Sequence, residues 1–137
     1  MRAIRRMPPR RKATRGAAIL ELAILLPLLM MLVLGILEFG RALVVQEILT
    51  NAAREGARRA AISGTSHDAA LTTIDNYLAN EGITGHTRSI VPNANTVAEG
   101  DPITVTVSVA YTEIDFGIVL TWLEDNTLNA TVVMRKE

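Results

Sequence analysis

Glu21 is the residue whose type and position most constrain the chemistry of this chain. It is the one charged residue in an otherwise apolar run from Ala17 to Leu37. An acidic side chain near the centre of a membrane-spanning helix costs roughly 2.5–3.5 kcal/mol, so Glu21 requires a partner or a function. The alternative is that its side chain simply extends to the membrane surface, because Glu21 lies four residues, or about 6 Å, from Ala17.

The remaining polar residues form no recognisable catalytic or ligand-binding set. The chain has no cysteine, and His67 and His86 stand in polar stretches without a second ligand at metal-binding spacing, so we interpret both as surface residues. Scattered glycines form no phosphate-binding loop, and Ser66 fits a helix cap better than a nucleophile. We therefore expect a protein that is not an enzyme and that needs no metal, cofactor or small-molecule substrate.

Charge is divided unevenly along the chain. Residues 1–16 hold seven basic side chains and no acidic one, whereas residues 17–137 hold seven basic and fourteen acidic side chains. A basic tail followed by an acidic remainder is typical of a membrane protein whose tail stays at the cytoplasmic face while the rest of the chain is exported. The tail precedes an apolar run and carries no aromatic residue, so we expect no nucleic-acid partner.

The apolar run is long enough to cross a bilayer. Residues 17–37 span about 31 Å as a helix, which matches the hydrocarbon thickness, and exceed the 7–15 residues of a secretory signal core. The run predicts a retained single-pass helix in contact with membrane lipid, with its amino end cytoplasmic and its carboxyl end outside. Pro27 and Gly35 predict a bend or a loosened turn within it.

The helical pattern continues beyond the membrane, through residues 38–63. Apolar and small side chains follow one side and polar ones another, which predicts one continuous helix of about 46 residues. Small residues between Ala52 and Ala61 leave room for close packing, Glu55 can pair with Arg58, and Ser63-Gly64-Thr65 predicts the helix end.

Residues 65–137 predict a small α+β head that uses the long helix as part of its core. A short helix capped by Ser66 runs to about Asn80. Three strands are predicted, of which the central one is the clearest, and a short helix or turn at Phe116–Leu123 is expected to anchor Trp122. The predicted strands are Thr87–Val91, Ile103–Ile114 and Leu128–Met134, of which the first two form an antiparallel hairpin. The predicted organisation is a basic leader (1–16), a transmembrane helix (17–37), its extramembrane continuation (38–63) and the head (65–137).

The junction between leader and helix resembles the processing site of type IV pilins and pseudopilins. The matching features are a basic leader ending in Gly16, an apolar helix beginning at Ala17, and glutamate as the fifth residue of that helix. Within that superfamily the chain is most similar to the TadE-like proteins of the tight-adherence pilus system, by the segments Arg15-Gly16-Ala17-Ala18, Glu38-Phe39-Gly40-Arg41, Asn51–Arg58 and Ala130–Arg135, together with Glu21 and Pro27.

The resemblance implies a cut between Gly16 and Ala17 by a prepilin peptidase, a membrane aspartyl protease that acts at the cytoplasmic face. It also implies a new amino terminus on Ala17, often methylated in the family, that neutralises Glu21 and sets the register of packed helices. Two departures, Ala17 for the family's frequent phenylalanine and Leu22 for the tyrosine of small Flp pilins, together with the extra head, favour a minor pilin or pseudopilin over the bulk fibre subunit.

The resemblance further implies a bacterial inner-membrane location, and other pilins, pseudopilins and pilus assembly proteins as partners. A second interpretation stays open: an uncleaved single-span anchor presenting a binding head outside the cell, which offers a sheet edge to a partner strand. A periplasmic enzyme is a third class, with the least support because no titratable residues cluster in the sequence.

Overall fold

The computed structural model describes residues 13–113 and 126–137. A very long helix and a short helix precede three strands, which form one antiparallel sheet in the spatial order β1-β2-β3. The elements are α1 (Ala13–Ala61), α2 (His67–Asn80), β1 (His86–Val91), β2 (Pro102–Ala110) and β3 (Thr127–Arg135). This confirms the predicted α+β class, with a long amino-terminal helix, a short second helix and a small sheet.

The helix α1 is continuous for 49 residues and is unbroken at Pro27 and Gly35. At 1.5 Å per residue it is about 74 Å long. It begins before Ala17 and therefore includes the predicted cleavage point. It ends where the sequence predicts, because Gly64 takes φ +78°, a left-handed conformation that favours glycine, and the amide of Thr65 donates to the carbonyl of Ile62 at 3.2 Å.

The helix α2 is fixed at its first turn by two side chains. The hydroxyl of Ser66 accepts from the amide of Ala69 at 3.2 Å, as predicted for an N-cap. The side-chain oxygen of Asn95 accepts from the amide of His67 at 2.8 Å and ties the helix to the following loop. Two amides at the start of α2 that have no partner within the helix are thereby satisfied.

The sheet confirms the three predicted strands and corrects the end of one. The prediction extends the central strand to Ile114, but β2 stops at Ala110 and the chain turns into a 3₁₀ helix over Tyr111–Glu113. The physical reason is the partner strand: β3 begins at Thr127 opposite Ala110, so no strand continues the ladder. The predicted element at Phe116–Leu123, with Trp122, lies outside the described residues.

The core lies between the second half of α1, the helix α2 and one face of the sheet. Alternate β2 residues are fully buried, as their spacing predicts: Ile103, Val105, Val107 and Val109. The buried α1 residues are small or aliphatic, namely Val45, Leu49, Ala52, Ala53, Ala57, Ala60 and Ala61. Among the described residues, the head therefore shares a single hydrophobic core with α1.

At Gly56, α1 and α2 approach each other closely. A Cβ atom added there would lie within about 2.5 Å of the Cγ1 and Cδ1 atoms of Ile74. Real Cβ atoms do not come that close to other carbon atoms, so the helix crossing requires glycine at this position.

The carboxyl end of α1 is closed by the last residues of the chain. The amide of Glu137 donates to the carbonyl of Ala61 at 2.9 Å. The buried ammonium of Lys136 donates to three backbone carbonyls, those of Ala60 (3.1 Å), Ile62 (3.2 Å) and Ala94 (3.3 Å). A cation at this end of a helix interacts favourably with the helix dipole and satisfies carbonyls that lack an intrahelical partner.

We predict that Gly56→Ala lowers the free energy of unfolding of the detergent-solubilised chain by about 1–2 kcal/mol, since the strain of overpacking exceeds the gain in helix propensity. Gly40→Ala is the matched control, because a Cβ there meets no atom within 4 Å. The control should be neutral or stabilising in chemical denaturation followed by circular dichroism. Equal stability of the two variants would contradict the packing described.

We predict that Lys136→Met lowers the free energy of unfolding by about 1–3 kcal/mol, because it leaves buried carbonyls without a donor. The neighbouring Arg135 is exposed, so Arg135→Met should change stability by less than about 0.5 kcal/mol. Thermal unfolding of both variants provides the measurement, and equal midpoints would count against the capping role of Lys136.

Candidate functional site

The predicted processing residues lie on the exposed first half of α1. Gly16, Ala17 and Glu21 are all helical and exposed. Ala17 and Glu21 are four residues apart and therefore lie on the same side of the helix, one turn from each other. The structure thus places on one helical face, one turn apart, the residue predicted to carry the new amino terminus and the acidic residue predicted to pair with such a terminus.

Gly16 has no packing reason to be glycine. A Cβ atom at this position would meet no atom within 4 Å, and glycine inside a helix costs about 1 kcal/mol relative to alanine. Its backbone takes no left-handed conformation, unlike that of Gly64. The described part of the chain therefore does not account for this glycine, whereas it does account for Gly56.

Glu21 is an acidic residue on the exposed surface of α1, where the neighbouring side chains are apolar. All side chains of residues 16–33 are exposed, and within the described part of the chain no hydrogen bond or ion pair reaches Glu21. Gly16–Ala61 is the one described helix that is long and apolar enough to cross a membrane. These features are compatible with a single-pass membrane anchor, in which Glu21 requires a partner from outside the described fold.

Glu38 is a buried carboxylate that the sequence did not predict. It is only 4% exposed, while its neighbours Leu37 and Phe39 are 58% and 61% exposed. Its position seven residues before Val45 puts it on the side of α1 that faces the head. That spacing was the available signal, but an acidic residue on an amphipathic helix is more often assigned to solvent.

The pair Glu55–Arg58 forms on the exposed side of α1, as predicted. The Nε atom of Arg58 donates to Oε2 of Glu55 at 3.1 Å, and its Nη2 atom donates to Oε1. Hydrogen bonding from Arg58 lowers the pKa of the Glu55 carboxyl below its usual value, with Arg59 adding a smaller electrostatic effect. The pair therefore favours the fold above the usual glutamate pKa, and this contribution is lost as the pH falls through the lowered pKa.

His86 is not the surface residue that the sequence predicts. Its Nε2 atom lies 3.0 Å from Oδ1 of Asp75, and the Nε atom of Arg88 donates to the same oxygen at 2.6 Å. The cause is the position of β1, which brings His86 and Arg88 to the side of α2 that carries Asp75. His67 is half-buried, and its Nδ1 atom accepts from the amide of Ala94 at 3.3 Å.

These two histidines connect α2 to β1 and to the loop at Ala94, and the described residues around them do not form a set of metal ligands. Across residues 13–113 and 126–137, no three histidine, aspartate or glutamate side chains come close enough to hold a metal ion.

The fold and the exposed helix define a class of protein: a small α+β head carried on one long helix whose first half is apolar on all sides. The family model described as TadE-like protein matches residues 16–58. The match confirms the resemblance to the TadE-like family, over the part of the chain that begins at Gly16 and ends at Arg58 within α1. No curated protein and no solved structure matches the chain.

Proposed function

We propose that this protein is a minor pilin or pseudopilin of a tight-adherence pilus, trimmed by a prepilin peptidase between Gly16 and Ala17. The observation that carries the proposal is the TadE-like match over residues 16–58, which begins at the glycine of the junction. The protein is a substrate of the peptidase and not itself an enzyme. Its other partners are pilins, pseudopilins and the assembly machinery in the bacterial inner membrane.

The unexplained glycine supports trimming at this position. Gly16 costs helix stability and nothing in the described fold requires it. A peptidase that must bring its catalytic aspartates to the peptide bond after residue 16 supplies the missing reason. The bond lies within α1, so cutting requires the helix to unwind locally. A glycine near the start of the helix makes that unwinding less costly.

The charge pattern supports the orientation. The seven basic residues of the leader precede the apolar run, and positively charged segments stay on the cytoplasmic side. The junction then lies at the cytoplasmic face, and the head lies outside the membrane.

Glu21 gains a partner when the cut is made. Trimming creates a positive α-amine on Ala17, and this amine can neutralise the carboxylate of a neighbouring subunit in a bundle of apolar helices. An ion pair in such surroundings adds little net stability, but a helix register that leaves either charge unpaired is strongly disfavoured. Glu21 would thereby fix how far one subunit is displaced along the next.

Gly16→Leu should abolish trimming, because a branched side chain would occupy the space next to the scissile bond. Intact-mass measurement of the membrane-extracted protein, in cells with an active prepilin peptidase, reads the outcome. Gly35→Leu is the matched control, since Gly35 lies on the same helix and also has open space around it. The control should be trimmed normally, and a Gly16→Leu protein that has lost its first sixteen residues would refute the assignment.

Glu21→Gln should leave trimming intact but reduce incorporation of the protein into pilus assemblies by about tenfold or more, since an unpaired buried charge costs several kcal/mol and 1.4 kcal/mol is a factor of ten. Glu47→Gln, on the exposed side of the same helix beyond the apolar run, is the control and should assemble normally. An uncleaved anchor with a binding head predicts instead that both variants function equally well.

A further inference from the structure

The outward side of α1 stays apolar after the head has begun to cover the other side. Glu38 is 4% exposed and lies on the side that faces the head, whereas Phe39, Leu43 and Val44 are 61%, 56% and 57% exposed. Together with Gly40, which is also exposed, these three residues form what we call the exposed strip. The head therefore covers one side of α1 at a level where the other side still presents large apolar groups.

The charged residues of this stretch of α1 lie off the exposed strip. Glu38 is on the head side, and Arg41 lines a groove together with Glu81 of the turn that follows α2. The next charged residue on the outward side is Glu47, one turn beyond Leu43. The strip is therefore uncharged along about one and a half turns of helix.

The exposed strip is continuous with the apolar half of α1. Every side chain from residue 16 to residue 33 is exposed. Ile36 and Leu37 are 62% and 58% exposed and join this surface to the strip. The surface expected to face lipid along the predicted span thus extends without interruption to Val44, but on the outward side only.

A bilayer is thick enough to reach the exposed strip. The rise from Ala17 to Leu37 is about 30 Å, which equals the thickness of the hydrocarbon core, and Val44 lies about 10 Å farther along α1. The interfacial regions bring the whole bilayer to about 40–45 Å. A tilt of about 30°, within the usual range for membrane helices, puts Val44 about 35 Å from Ala17 along the membrane normal. With the strip on the lower side of the tilted helix, its side chains reach the outer interfacial region.

The size of the side chains favours lipid over a second helix as the contact of the exposed strip. Helix–helix contacts within membranes are enriched in small residues, which let the two backbones approach closely. Gly40 is the one small residue of the strip, and the other three side chains are large. A helix with large apolar side chains on one side places that side at the boundary between head groups and acyl chains.

We propose that the exposed strip of α1 contacts phospholipid in the outer interfacial region of the membrane. The helix then leaves the bilayer tilted, with the strip below and the head above. This inference rests on the membrane location proposed for the chain, but it does not depend on trimming after Gly16.

The outward side of α1 offers three matched positions for a test, namely Leu32, Leu43 and Arg54, which are spaced by eleven residues, or about three turns. All three are exposed and the chain has no cysteine, so one introduced cysteine can carry a nitroxide label without disturbing the core. The variants are Leu32→Cys, Leu43→Cys and Arg54→Cys in the full-length chain, in vesicles of phosphatidylethanolamine and phosphatidylglycerol. Power-saturation EPR compares the accessibility of each label to oxygen, which concentrates in lipid, and to a nickel complex, which stays in water.

The label at position 43 should resemble the label at position 32. Its ratio of oxygen to nickel accessibility should be at least about threefold above the ratio at position 54, because an apolar helix side at the interface is buried about 5–10 Å into the boundary of head groups and acyl chains.

A label at position 43 that resembles the label at position 54 would overturn the proposal, since the strip would then lie in water. A label at position 43 that is shielded from both reagents would overturn it in favour of a second copy of the chain as the contact. A label at position 32 in water would refute the membrane location itself, and this result separates a failure of the proposed location from a failure of the lipid contact at the strip.

Discussion

The long helix α1 must be compatible with lipid along its first half and with the sheet of the head along its second half. The rest of the structure depends on how its sequence is divided between these two surroundings. The first half exposes apolar side chains on every side, which is stable in lipid and unstable in water. The second half is apolar on one side only and supplies the buried residues that cover the sheet. A head of this size has too little interior of its own, so it is built around the helix that anchors it.

Close contact between the head and α1 is maintained by residues with unrelated chemistry. Gly56 permits the approach of Ile74, and Lys136 closes the end of the helix through three carbonyls. Because these contacts join α1 to α2 and to the last residues of β3 and beyond, movement of the head relative to the helix would break core packing and buried hydrogen bonds together. The head is therefore held against α1 by its core packing, and in the proposed helix bundle a register set by α1 would also set the position of the head.

Gly16 and Glu21 differ from these residues, since the described fold of one chain explains neither of them. Glycine costs helix stability where nothing is packed against it, and a carboxylate costs free energy where the surface is otherwise apolar. The proposed trimming would account for both residues, because it needs a small residue at the cut and would produce a cation for the acid. The family match begins at the same glycine.

Most of the fold could be predicted from the sequence because its signals are local. Alternation in residues 103–109, the Ser66 cap and Gly64 each determine structure within a few residues. The sequence could not predict that β2 ends at Ala110, since that depends on where its partner strand begins. Lys136 and Glu38 were missed for the same reason: a charged side chain looks solvent-exposed until the chain places it against elements far away in sequence.

The central claim is that the α-amine of Ala17 neutralises Glu21 of a neighbouring subunit. Solid-state NMR on assembled pili, containing subunits labelled with ¹⁵N at Ala17 mixed with subunits labelled with ¹³C at the Glu21 carboxyl, measures the distance between the two groups. The account predicts an intermolecular contact within about 4 Å, the range of an ion pair. An amide nitrogen at Ala17, or an amine with no Glu21 carboxylate near it, would contradict the account.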